Sequence, residues 1–210
     1  MMIDPAKFAL FVGVSWALIL APGPDMLYVI TRGMAHGRRA GIVSAIGVIC
    51  GILVHTTATA FGVTLIFQTS TLAFLMVKYL GAIYLIYLGI KVWQDKNTFS
   101  LQPSFAGANS RPLFWQGVMS NVLNPKIAVF FLAFLPQFVD QGSGQVTLQM
   151  TILGLTFALF GLCFLVLVGY FAGSVGAWLS NQPHYTKFFR WLSGGTLFVL
   201  GARLALTDQQ

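Results

Sequence analysis

The stretch Leu18-Ile19-Leu20-Ala21-Pro22-Gly23-Pro24-Asp25-Met26-Leu27 places two prolines, a glycine and an acid inside an apolar run that extends over 8–31. Proline within a helix removes a hydrogen bond and clashes with the preceding turn. Gly23 relaxes the backbone, and Pro24 suits the first position of a new helix. The stretch predicts a discontinuous helix whose second half begins near Pro24, with free N–H groups inside an apolar surround. A simple proline kink is the plainer alternative.

The rest of the chain fixes what that surround is. Its 210 residues are 57 % hydrophobic and 8 % charged, against about 25 % charged in an average soluble domain. Mean hydropathy is +0.79. These figures exclude a soluble enzyme, a disordered chain and a disulfide scaffold, and leave a polytopic membrane protein. An outer-membrane barrel would show alternating stretches of roughly ten residues. The runs here are long and unalternating, so the expected class is all-α.

Six apolar runs can be marked, at 8–31, 40–67, 72–93, 113–138, 150–179 and 188–206. The first lacks a basic leader and a small-residue cleavage site, and reads as a retained helix rather than a signal peptide. A polar stretch rich in Ser, Asn, Pro and Gly, 94–112, separates the third run from the fourth and reads as a loop. Six spans put Arg32, Arg38, Arg39, Lys91, Lys96, Arg111, Lys187 and Arg190 on one side, and only Lys7 and Arg203 on the other. The excess of basic residues predicts that the first side is cytoplasmic, with both termini outside the cytoplasm. Trp93, Trp115, Trp178 and Trp191 fall near the same side, as an interfacial belt does. The net charge of +7 comes from basic residues scattered at the ends of apolar runs. That pattern suits topology signals and lipid headgroups, not nucleic acid.

The chain also repeats. Residues 78–91 align without gaps to 190–203, matching Leu80, Leu85, Leu88 and Gly89 to Leu192, Leu197, Leu200 and Gly201, with a basic residue at each end. Pro22 and Pro24 interrupt the first run, and Pro125 interrupts the fourth. The reading is a single transmembrane domain over 1–210. It comprises two inverted three-helix repeats, 6–93 and 112–206, with interrupted first and fourth helices and a cytoplasmic loop 94–112 between them. Inverted repeats are typical of secondary transporters.

The candidate site residues lie at the two breaks. Asp25 is the only carboxylate within a run; Asp4, Asp95, Asp140 and Asp208 are in termini or loops. Its insertion costs about 2.5–3.5 kcal/mol at a helix centre, so it should face a cavity or a partner. A purely local role, satisfying the new helix start, is compatible with that. In the second break, Asn121-Val-Leu-Asn124-Pro125-Lys126, Asn124 as N-cap followed by Pro125 is a helix-start signal. Lys126 is a buried cation or a snorkelling one; Pro125 lies roughly 18 Å into its run at about 1.5 Å per residue.

Other features carry less. His55 is a proton relay or a histidine bonded between helices. Gly47-x-x-x-Gly51 and Gly169-x-x-x-Gly173 permit close helix contact, within one subunit or across a homodimer. Cys50 and Cys163, in equivalent runs, would form a membrane dithiol only in surroundings that lower a thiol pKa, and none are evident. No metal-ligand cluster, nucleotide loop or nucleophile–base pair occurs, and no cofactor is expected.

Pro22-Gly23-Pro24-Asp25 in the first run, Asn124-Pro125-Lys126 in the fourth, and Lys78-Tyr79-Leu80-Gly81-Ala82 with Leu88-Gly89 in the third resemble the lysine exporter (LysE) family. The similarity lies within its homoserine/threonine and leucine exporter (RhtB-type) branch and covers essentially the whole chain. The resemblance implies an inner-membrane protein that exports amino acids or close derivatives, driven by the proton gradient. In this reading Asn124, Lys126 and the helix starts hold the substrate carboxylate, and Asp25 takes the substrate ammonium or a proton. An Asp25–Lys126 salt bridge is a rival arrangement. A cation or metal efflux carrier, a thiol redox protein using Cys50 and Cys163, and a non-transporting scaffold are the alternative functions. For the first of these, the spans hold too few carboxylates for a good cation cage.

Overall fold

The computed structural model describes residues 3–69, 71–94, 109–172, 174 and 183–206. They form helices α1 (Pro5–Leu20), α2 (Pro24–His36), α3 (Arg38–Thr69), α4 (Thr71–Gln94), α5 (Ser110–Val122), α6 (Pro125–Val129), α7 (Val146–Tyr170) and α8 (Pro183–Leu206). The expected loop 94–112 and Trp178 fall mostly or wholly outside the described residues.

Both predicted breaks are present. Pro22 cannot donate to Leu18 O, so α1 ends at Ala21, Gly23 runs extended, and Pro24 opens α2 at a 47° bend. In the second break the Asn124 side chain accepts from Lys126 N at 3.1 Å and Pro125 opens α6, with a 49° bend from α5. Beyond Val129 the helix widens to a π turn over Phe130–Phe134 and tightens to a 3-10 turn over Leu135–Phe138. Pro136, which has no N–H, sits in that second turn.

The first two runs are joined more tightly than the sequence suggested. Helix α2 continues through Arg32 to His36, and a single residue, Gly37 at φ +84°, turns the chain into α3. Among the described residues three helical stretches, Arg38–Gly62, Leu75–Gln94 and Val146–Tyr170, are long and apolar enough to cross a membrane, and counting each bent pair as one span gives up to five.

Helices α5 and α7 each pack against α3, and α4 packs against α8. Helices α4 and α8 run antiparallel with reciprocal contacts. A side-chain carbon on Gly89 would lie 2.7 Å from Gly194 O and 3.0 Å from Phe198 N; one on Gly201 would lie 2.8 Å from Ala82 O and 3.0 Å from Ile86 N. In the alignment of 78–91 with 190–203 these two sets of partners are each other's counterparts. Helices α3 and α7 are likewise antiparallel, with Gly41 against Gly169 and Thr56 against Gly154. Helices α3 and α5 run parallel, where Gly47 meets Phe114 O and, one turn on, Gly51 meets Val118 O and Asn121. Gly47, Gly51 and Gly169 thus serve contacts inside this chain; Gly173 is outside the described residues.

The buried centre is aromatic, with Phe130 and Phe131 against Phe157 at ring separations of 5.0 and 5.5 Å. The periphery is apolar too: Leu80, Ile83 and Val199 are each more than 60 % exposed, as lipid-facing positions are. Trp93 and Trp191, assigned from sequence to the same interface, lie 5.4 Å apart with their rings tilted by 32°.

Candidate functional site

The two breaks adjoin, and each is completed by the other. Because Pro22 has no N–H, Leu18 O is left without its helical donor. Lys126, at the second position of α6, fills it: Nζ donates to Leu18 O at 2.8 Å and to Ala21 O at 2.7 Å. These carbonyls form the negative end of α1, a favourable place for a cation. Lys126 is buried and points inward, so the snorkelling alternative is not what the structure adopts.

Asp25 makes the reciprocal reach from the second position of α2. Its Oδ2 accepts from Asn121 Nδ2 and Asn124 Nδ2, both at 2.8 Å, and its Oδ1 accepts from Ser120 Oγ at 3.5 Å. All three donors belong to the second break. The acid and the base are thus each held by groups of the opposite break, rather than by each other in a direct ion pair. Charge-assisted bonds of this kind are stronger than neutral ones.

His55 of α3 borders the same region. Pro125 cannot donate to Asn121 O, which accepts instead from Asn124 N at 2.9 Å, and His55 Nε2 lies 3.2 Å from the same oxygen. The bond requires the Nε2–H form of the ring. His55 therefore ties α3 to the second break, one residue removed from Asp25 in the bonding chain. Two hydroxyls that nothing in the sequence singled out also serve the site. Ser120 is one, and Ser193 of α8 is the other, donating to Pro22 O at 2.9 Å.

Between the breaks lies a narrow cleft of about 40 Å³ lined by Gly23, Asp25, Asn124 and Lys126, and by apolar side chains of α3 and α7. Cys50 is half-buried and Cys163 exposed, and both are free thiols. Replacing both by Ala is expected to leave transport unchanged in reconstituted vesicles; loss of activity would restore the thiol reading. Among the described residues no three His, Cys, Asp or Glu side chains converge on one point.

An all-helical, apolar-surfaced chain with two broken helices meeting at a charged cleft has the build of a membrane transporter. Residues 16–208 match the LysE type translocator family, and the chain belongs to it; such proteins are transporters, not enzymes. It is 32 % identical over 193 residues to the homoserine/homoserine lactone efflux protein of Salmonella typhimurium (strain LT2), covering 91 % of this chain and 92 % of that one. It is 32 % identical over 192 residues to the leucine efflux protein of Klebsiella pneumoniae, covering 90 % and 89 %. It is 27 % identical over 206 residues to the membrane protein YrhP of Bacillus subtilis (strain 168), covering 94 % and 97 %. No solved structure matches it.

Proposed function

We propose that this translocator exports an amino acid, or a close derivative, from the cytoplasm across the inner membrane in exchange for entering protons. The observation that carries the reading is the reciprocal hold of Asp25 and Lys126 beside one cleft. An amino acid is a zwitterion, and its ammonium and carboxylate are complementary to this pair. To receive it, Asp25 releases the amides of Asn121 and Asn124, and Lys126 releases the carbonyls of Leu18 and Ala21. Asn124 and the start of α6 support the carboxylate beside Lys126. Asp25 binds the ammonium or a proton but not both, and that competition couples the two flows. The names of the relatives support a cargo of this class.

Each hold spans the two halves, 6–93 and 112–206, so substrate binding loosens the halves from one another. The reciprocal contacts of Gly89 and Gly201, and the antiparallel pairing of α3 with α7 and α4 with α8, support an inverted repeat of six spans. In this reading the halves rock about the breaks to expose the cleft alternately.

The direct test uses inside-out membrane vesicles containing the overproduced protein, with an acid interior and a panel of labelled amino acids. At least one is expected to accumulate against its gradient and to be released by a protonophore. Failure of every amino acid to accumulate, with the protein inserted, would overturn the assignment. Orientation has its own test. A reporter active only outside the cytoplasm is expected to be active when fused after Gln210 and silent when fused within 94–112. The reverse pattern would invert the proposed direction of the path.

A further inference from the structure

On one side of the cleft, helices α2 and α5 meet in an antiparallel seam. Asp25, Tyr28 and Arg32 are spaced i, i+3, i+7 along α2, and Leu113, Gln116 and Ser120 repeat that spacing along α5, so each set shares one helix face. The innermost rung of the seam is the site itself, where Asp25 accepts from Ser120 and Asn121. Farther out, Tyr28 Oη donates to Leu113 O at 2.6 Å, and Arg32 Nη2 donates to Gln116 Oε1 at 3.0 Å. Between antiparallel helices these two bonds cross, and the Arg32 guanidinium lies 5.5 Å from the centre of the Tyr28 ring, within cation–π range. Leu113 is buried and Gln116 exposed, so the seam leads from the cleft to the molecular surface. Arg32 is one of the basic residues that mark the side assigned to the cytoplasm. Beyond the Lys126 bonds, the opposite seam is closed by apolar contact: Phe11 of α1 packs edge-on against Phe138 at 5.4 Å, and both are buried.

We propose that the α2–α5 seam is the cytoplasmic gate of the translocator, with Tyr28, Arg32 and Gln116 as its latch. The inference rests on the reading that the cargo reaches Asp25 from the cytoplasm. The innermost rung ties the gate to the site. A proton or a cargo ammonium on Asp25 competes with Asn121 and Ser120 for the carboxylate, so occupancy of the site biases the seam toward parting. The outer rungs are hydrogen bonds close to the aqueous face, where water replaces them at small net cost as the helices separate. Parting the opposite seam exposes aromatic surface instead, which is opposed by the hydrophobic effect. The latch therefore holds a gate that opens readily from one side, and its hydrogen bonds set how often it does.

Two measurements test the gate, both in protein carrying Cys50→Ala and Cys163→Ala. In the first, Ser120→Cys reports access to the seam through its reaction with a membrane-impermeant thiol reagent. Adding Tyr28→Phe, which removes only the hydroxyl, is expected to raise the labelling rate in inside-out vesicles by about fivefold, the effect of one hydrogen bond, and to leave the rate in right-side-out vesicles no higher. In the second, Arg32→Cys and Gln116→Cys are joined by a short bifunctional thiol reagent. Exchange of labelled leucine, threonine, alanine and lysine by the purified protein in liposomes is then expected to fall to the protein-free level and to return on reduction. Each single-cysteine variant, treated alike, is expected to keep exchanging. Exchange that persists through the cross-link would overturn the proposal. So would a labelling rate that Tyr28→Phe leaves unchanged in inside-out vesicles or raises only in right-side-out ones. Labelling needs no transport, so it decides the gate even if the paired variant is inactive. Absence of exchange by the unsubstituted protein with every amino acid would instead remove the transport reading itself, so the two failures are distinguishable.

Discussion

Asp25→Asn is expected to leave the protein folded and inserted but to abolish uphill export driven by a pH gradient. The replacement has the same shape. Turned so that its carbonyl oxygen faces Asn121 Nδ2 and Asn124 Nδ2, it still accepts both bonds now made at 2.8 Å. Its amide nitrogen then meets Ser120 Oγ, which can accept as well as donate. It cannot take up or release a proton. Accumulation in acid-loaded inside-out vesicles should fall to the level of protein-free vesicles, while exchange of one substrate molecule for another survives. If the purified, reconstituted variant pumps against a gradient as well as the original, Asp25 is not the coupling group, and His55 or Lys126 must be examined in its place.

Gly117→Leu is expected to cause the largest loss of stability. A side-chain carbon at Gly117 would lie 2.7 Å from Ser44 O and 3.1 Å from Val48 N, which are backbone atoms of α3 and cannot swing aside. Overpacking of this kind costs about 3 kcal/mol, and helix α5 would have to separate from α3 along its length. The thermal midpoint of the detergent-solubilised protein should drop sharply. Gly13→Ala is the control. Nothing lies within 4 Å of a carbon added there, and the better helix former should be neutral or stabilising by up to about 1 kcal/mol. Equal behaviour of the two variants would mean that the α3–α5 seam is not closely packed.

Much of this architecture follows from local chemistry. Prolines at 22, 24 and 125 interrupt helices wherever they fall, because the missing N–H and the ring clash are properties of the residue. The apolar runs fall on helices wherever their residues are described, because a long run of such residues has few other ways to satisfy its backbone in lipid. Small residues at Gly47 and Gly169 announced close contacts but not their partners, which depend on how helices distant in sequence assemble. Local chemistry also left the destination of each charge open. Lys126 had three readings, and the choice among them rests on the Leu18 carbonyl, which is freed by Pro22 more than a hundred residues earlier. Ser120 and Ser193 look like any small polar residue in a membrane helix; only the folded arrangement brings them to Asp25 and Pro22. The π turn over Phe130–Phe134 has no distinctive composition, and reading the run as one regular half-helix missed it.

Asp25 and Lys126 each follow the proline that opens a helix, so they occupy corresponding places in the two proposed halves. A half-turn that exchanges the halves therefore turns acid into base. An amino acid behaves the same way, since turning it end over end swaps its ammonium and its carboxylate. A duplicated ancestor bearing the same residue at both places would have presented two like charges and no polarity. In the reading proposed above, divergence at this one position is enough to orient the cargo.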